Sequence, residues 1–169
     1  MACNVTLTGI GFDCSTNLSG VKTIYIADYD AVTSITASNG KITAINASTG
    51  TFKKYIPAKY TGSLTKTLTK NESTGVKYYT NEVTANFNHM DISKRNEMTQ
   101  LDGGQLAAMV EDYNGVIWYL GKDYAVSASA VVGQTGAGVD DGNFYTLTLT
   151  DTSAELPYVV DASIDSLIA

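Results

Sequence analysis

The sequence predicts an all-β domain, a β-sandwich or partly closed barrel, with one short flanking α-helix, a long protruding hairpin and extended terminal arms. Three observations carry this prediction. Thr, Ser, Asn, Gly and Tyr are abundant while only 17% of residues are charged, and β-branched and aromatic side chains suit a pleated, half-buried surface. Short alternating runs recur between Asn-Gly and other Gly-containing turns, the signature of hairpins. A single segment alone carries helix start and stop signals. A chain of 169 residues accommodates one domain, divided here into an N-terminal arm (1–20), a β-domain (21–151) and a C-terminal arm (152–169).

The elements follow in order. The opening stretch to Gly20 scatters Leu7, Ile10, Phe12 and Leu18 among Thr, Asn, Gly and Ser, a poor core pattern that orders only when something ties it down. Val21 to Ala27 is β-branched and aromatic, and Asp28-Tyr29-Asp30 reads as a turn. Ala31 to Ala37 places Val32 and Ile35 out of strict alternation. Asn39-Gly40 then marks a type I′ turn, both of whose central residues need positive φ, and Lys41 to Ile45 is the returning strand. Phe52 to Ala58 is a short strand confined to an edge or ended by Pro57, because proline cannot donate to a ladder. Ser63 to Lys70 and Val76 to Phe87 flank Asn71-Glu-Ser-Thr-Gly75, giving a long hairpin over 61–88. Its polarity predicts that neither arm is fully buried, and isolated two-stranded ribbons are marginal in water.

Asp91 or Ser93 caps a helix over 92–101, with Met98 and Leu101 on one face and Gly103-Gly104 as its stop. Gln105 to Glu111 and Val116 to Leu120, joined by Tyr113-Asn114-Gly115, form a second hairpin whose continuous apolar character, Trp118 included, predicts core strands. Tyr124 to Val132 and Phe144 to Thr150 are strands around the loop Gly133 to Gly142. In the latter strand Tyr145, Leu147 and Leu149 share one face. A polar bend, Pro157 and a short apolar stretch end the sequence.

Composition excludes several functions. Eleven Lys and Arg against 17 Asp and Glu leave a net charge of −6 and a pI near 4.6. Non-specific nucleic-acid binding requires a basic surface that neutralises phosphates. Leu106-Ala-Ala-Met-Val110 is far shorter than the ~20 apolar residues a membrane helix needs, and, with no basic stretch followed by an apolar run of about 7–15 residues at its start, no secretory leader is expected. Cys3 and Cys14 lie outside any paired zinc spacing and the single His89 is remote; free thiols are expected, with a local disulfide as the alternative.

No catalytic constellation emerges. Gly136-Ala-Gly138 echoes a nucleotide loop but joins two strands, whereas a phosphate cradle opens a helix. Asp140 and Asp141 with Asn143 could ligate calcium, yet the EF-hand spacing is absent, and a solvated acidic turn is the simpler reading. Glu111-Asp112 flank a turn in the same way. His89 has no nucleophile or orienting partner readable from spacing. The chain is therefore expected to be no enzyme and to hold neither metal nor cofactor. The polar hairpin and the acidic loop supply candidate assembly residues: Lys66, Lys70, Glu72, Lys77, Tyr78, Tyr79 and Glu82 on the hairpin, Asp140 and Asp141 on the loop.

The segment Leu106-Ala-Ala-Met-Val-Glu-Asp-Tyr-Asn-Gly-Val-Ile-Trp-Tyr-Leu-Gly121 resembles a strand, acidic pair, Asn-Gly turn and aromatic strand seen in structural proteins of phages and prophages of the Bacteroidetes. The Gly- and Asp-rich loop and the strand Tyr145 to Thr150, followed by a Pro-containing tail, are similar too. The resemblance runs in order of features from Val21 to Val160 and implies a virion protein of the tail-tube kind. Such proteins combine a β-sandwich, one helix, a long hairpin and extended arms in hexameric rings that stack into a conduit. It implies partners in further copies and other virion proteins, synthesis in the host cytoplasm, DNA passing without specific binding, and no membrane. An acidic lumen would let DNA pass without sticking. Two alternatives stand beside it: a capsid decoration or head-fibre protein, and a carbohydrate-binding adhesin sandwich presenting Tyr29, Tyr78, Tyr79 or Trp118 to a sugar.

Overall fold

The structure is a computed structural model and describes residues 7–169. Among these, β1 (Val21–Asp28), β2 (Val32–Ser38), β3 (Lys41–Ala47), β4 (Lys53–Tyr55), β5 (Ser63–Asn71) and β6 (Val76–Asn88) precede helix α1 (Ile92–Asp102). After it come β7 (Leu106–Asp112), β8 (Ile117–Leu120), β9 (Ser127–Gln134), β10 (Phe144–Ser153) and β11 (Tyr158–Val160). One sheet has the order β2-β3-β11-β8-β7-β1-β4 and the other β5-β6-β10-β9. The protein is thus an all-β fold of two sheets with one short helix.

Local chemistry explains the turns. Asn39 and Gly40 have φ of 52° and 76°, the left-handed pair that a type I′ hairpin demands. Asp28 accepts from the Asp30 N–H and starts a one-turn 3-10 helix, Tyr29–Ala31. The broken alternation of β2 has its cause in two register shifts against β3, at Val32/Ser34 and Thr36/Ala37, where bulges swing side chains between faces. Asp91 caps α1, its carboxylate accepting from the Lys94 N–H at 2.8 Å, and Met98 and Leu101 are the helix's buried residues.

The seven-stranded sheet cannot be flat. Its order places β1 and β2 five strand spacings apart, about 24 Å at the usual separation. The chain joins them through Tyr29–Ala31 alone, a link of at most about 14 Å when extended. The sheet therefore curls, and of the two expected architectures it combines both: a curled, partly closed sheet with a second sheet packed on one face.

Two cores result, one on each face of the curl. In β1, Ile24 and Ile26 enter the core between the sheets while Tyr25 and Ala27 enter the other; in β7, Leu106, Ala108 and Val110 alternate likewise with Ala107 and Met109. The inter-sheet core is completed by Val83, Ala85 and Phe87 of β6, Leu147 and Leu149 of β10, and Met98 and Leu101 of α1. Burial on both faces explains the unbroken apolar run of β7. The second core holds Ile42, Phe52, Tyr119, Val160, Ile164 and Leu167.

Two expectations change in detail. Residues 152–169, expected as an arm, belong to the body of this chain. β11 lies inside the large sheet, parallel to β3 and antiparallel to β8, and Ile164 and Leu167 fill the second core. The hairpin over 61–88 is exposed only in part. β10 runs beside β6 from Asn88 to Tyr79, and Asn81, Val83, Ala85 and Phe87 are buried there. What projects beyond β10 is the tip, paired as Thr69 with Tyr78, Lys70 with Lys77 and Asn71 with Val76.

The expected N-terminal arm forms neither helix nor strand and is exposed over residues 7–19. Asn114 pins its root: its side-chain amide donates to the Leu18 carbonyl at 2.9 Å and accepts from the Leu18 N–H at 2.8 Å. Cys14 is exposed on this arm; Cys3, and with it the choice between free thiols and a local disulfide, lies outside the described residues.

Candidate functional site

The polar chemistry of the molecule concentrates where the inter-sheet core opens toward the hairpin. On the inward face of the small sheet, Lys66 stands directly opposite Asn81, and Asn81 directly opposite Asp151. The row is a consequence of strand alternation: it continues the inward series Leu64 in β5, Val83 in β6 and Leu149 in β10 by two residues each. Asn81 is fully buried and Asp151 almost so.

The Asn81 amide nitrogen donates to the Asp151 carboxylate at 2.9 Å and to the Ser153 hydroxyl at 3.1 Å. Burial pushes the Asp151 carboxyl above its ordinary range, against the hydrogen bonds from Asn81 and from the Gly121 N–H. Among the described residues, Asn81 Oδ1 and Asp151 Oδ1 have no hydrogen-bond partner, an expensive arrangement for buried polar atoms. Lys66 Nζ lies 2.8 Å from the centroid of the Trp118 ring and pairs with no carboxylate among the described residues. Desolvation lowers the Lys66 ammonium to about 8, Asp112 opposing weakly.

Trp118 is held by Asp112. One Asp112 oxygen accepts from the Asn114 and Val116 N–H groups at 2.9 and 3.0 Å, closing the β7–β8 turn, and the other accepts from the Trp118 indole at 3.4 Å. Beside them an open cleft of about 480 Å³ is lined by Leu18, Tyr60, Leu64, Lys66, Asp112 and Trp118 among others. Tyr60 stacks on Tyr113 at 5.5 Å between centroids. Gly121 supports the site from below with φ of 87°, and an added Cβ would lie 3.2 Å from the Leu106 carbonyl and 3.1 Å from Val126. Gly121→Ala is therefore expected to cost about 2 kcal/mol through a left-handed alanine in a crowded position, read as a lower urea midpoint with an unchanged m-value.

The nine candidate assembly residues divide among five places. Lys70, Glu72, Lys77 and Tyr78 are on the projecting tip and exposed, with Lys70 and Glu72 paired at 2.9 Å. Glu82 is exposed on the outer face of β6 and Tyr79 is half-buried at the base of the tip. Lys66 points inward. Asp140 and Asp141 sit in the loop before Phe144, at the end of β10 away from the tip, where the Asp141 carboxylate accepts from the Ala137 and Gly138 N–H groups. The structure thus does not gather the nine into one surface.

The other residues singled out from sequence fall as follows. His89 lies at the β6–α1 junction with φ of 63°, and its N–H donates to the Asn143 carbonyl. Tyr29 packs at the margin of the second core. No group of three or more His, Cys, Asp or Glu suited to a metal occurs among the described residues, and no helix there is long and apolar enough to cross a membrane. Sequence reasoning missed Asn81 and Asp151; their signal was the alternation 147, 149, 151 and 81, 83, 85, which carries two polar residues onto the buried face.

These features define a two-sheet β-domain with one flanking helix and a buried polar row at the mouth of its core. Comparison with protein-family models, curated proteins and solved structures returned no match.

Proposed function

We propose that the chain is a structural subunit of a phage virion that self-assembles into stacked rings, a tail tube or neck conduit through which DNA passes without specific binding. The observation carrying the assembly half of this reading is the arm. Leu7, Ile10 and Phe12 are exposed at 85%, 103% and 94%, and a segment holding large apolar side chains in water is stabilised when a second surface covers them. The virion half rests on the sequence resemblance and on the net charge of −6, which repels DNA from a channel wall. The sugar-binding alternative has less support at Trp118, because the Lys66 ammonium occupies a face of the ring that a sugar would need.

Negative-stain electron microscopy across a concentration series tests the proposal. Mass action is expected to drive rings or stacked tubes with an open channel. Monomers at every concentration would overturn self-assembly, and compact trimers would favour a decoration or head-fibre role.

A further inference from the structure

We infer that Lys66 and Asn81 form an intramolecular isopeptide bond, with Asp151 as the proton-transferring catalytic residue, so that the projecting hairpin is covalently closed at its base. The inference concerns chemistry within one chain and stands or falls separately from assembly.

The three groups needed for the reaction occupy one row. Lys66, Asn81 and Asp151 are consecutive cross-strand neighbours on β5, β6 and β10. Directly opposed residues in an antiparallel pair have Cβ atoms about 5 Å apart, within the span of a lysine stem joined to an asparagine carbonyl carbon. The Lys66 amine presently rests on Trp118, and rotation about its side-chain bonds carries it to Asn81.

The environment suits each partner to its role. A nucleophilic amine must be neutral, and desolvation brings the Lys66 ammonium down to about 8, the usual means of activating a lysine. A proton relay must sit beside the leaving nitrogen, and the Asp151 carboxylate, its pKa raised by burial, accepts from Asn81 Nδ2 at 2.9 Å. The reacting amide is held rigidly, its nitrogen bonded to Asp151 and Ser153, which pre-orients it for attack. Asn81 Oδ1 and Asp151 Oδ1 lack partners among the described residues, so the row is chemically unfinished in the uncross-linked chain.

The step balances without any added reagent. The Lys66 amine attacks Asn81 Cγ, forming the N–C bond. The attacking nitrogen loses one proton and the departing Asn81 Nδ2 gains one, both by way of the Asp151 carboxyl, which is regenerated. The Cγ–Nδ2 bond breaks and ammonia leaves. Nothing is oxidised or reduced.

A purely structural reading competes: an inward lysine on an edge strand discourages unwanted strand pairing. Mass spectrometry separates the two. After incubation of the full chain at mildly alkaline pH, the denatured protein is expected to weigh less than its sequence by one ammonia. A tryptic digest is expected to contain peptide 60–70, uncut after Lys66, joined to peptide 78–94. Lys66→Arg and Asp151→Asn should both lack the joined peptide. Circular dichroism checks that they fold; should either fail to, the peptide map of the unaltered chain alone decides. A full sequence mass after incubation would overturn the inference. So would ammonia loss confined to unlinked peptides, as from a succinimide at Asn39-Gly40 or Asn114-Gly115.

Discussion

A chain ending at Val160 is expected to lose most of its stability. The missing nine residues carry Ile164 and Leu167, 8% and 6% exposed, and burial of such side chains contributes about 1.5–3 kcal/mol each. They also tie down the segment that leads into β4. Phe52 donates its N–H to the Leu167 carbonyl at 2.8 Å and accepts from the Ala169 N–H at 2.9 Å, while Gly50 donates to the Ser166 carbonyl. Phe52 itself, wholly buried, would face water. Against a total of about 5–15 kcal/mol for an ordinary domain, a loss of at least about 3–6 kcal/mol removes the cooperative transition or brings it near ambient temperature. Thermal unfolding followed by circular dichroism measures this. A melting temperature within a few degrees of the full chain would show that the tail merely drapes the surface.

That tail marks where sequence reading reached its limit. Strands announced themselves wherever alternation and a turn residue coincided: Asn39-Gly40, Asn114-Gly115 and the Asp91 cap all sit where local chemistry puts them. β11 has only three residues, follows a proline, and acquires its partners from Lys41 and Trp118, far away in the chain. No local period encodes such closure. Hence 152–169 read as an arm although its apolar residues were visible. The two cores were half legible, since the continuous apolar run of β7 signals burial on both faces without saying what covers the second.

The polar row is legible in the sequence only as alternation. Leu64, Lys66 and Leu68 alternate on one face of β5, and Leu147, Leu149 and Asp151 on one face of β10. An aspartate at a strand's end reads most simply as a turn residue, because carboxylates are seldom buried. Only the register, with Lys66 opposite Asn81 and Asn81 opposite Asp151, converts three scattered polar residues into one site. The candidate hairpin residues show the converse. Lys70, Glu72, Lys77 and Tyr78 were grouped by their place on a polar ribbon, and their exposure at the tip follows from where β10 stops.

Replacing Lys70 to Lys77 by Asn-Gly is expected to abolish ring formation while leaving the fold intact. The new two-residue turn would join Thr69 to Tyr78, which are already cross-strand partners, and Asn-Gly favours the turn that such a link requires. No buried residue is removed, so the melting temperature should stay within a few degrees. The tip is nonetheless costly to its own chain: Lys70 and Lys77 are directly opposed, a destabilising arrangement, and Val76 is 49% exposed. A ribbon that gains so little from its own sheet is where the proposed assembly contact is tested. Excising all of 61–88 is a different experiment. It withdraws Val83, Ala85 and Phe87 from the core and strips β10 of one of its two partners, so loss of assembly would follow from unfolding alone. Rings of unaltered appearance from the Asn-Gly variant would remove the tip from the assembly contact and leave the exposed arm as its candidate.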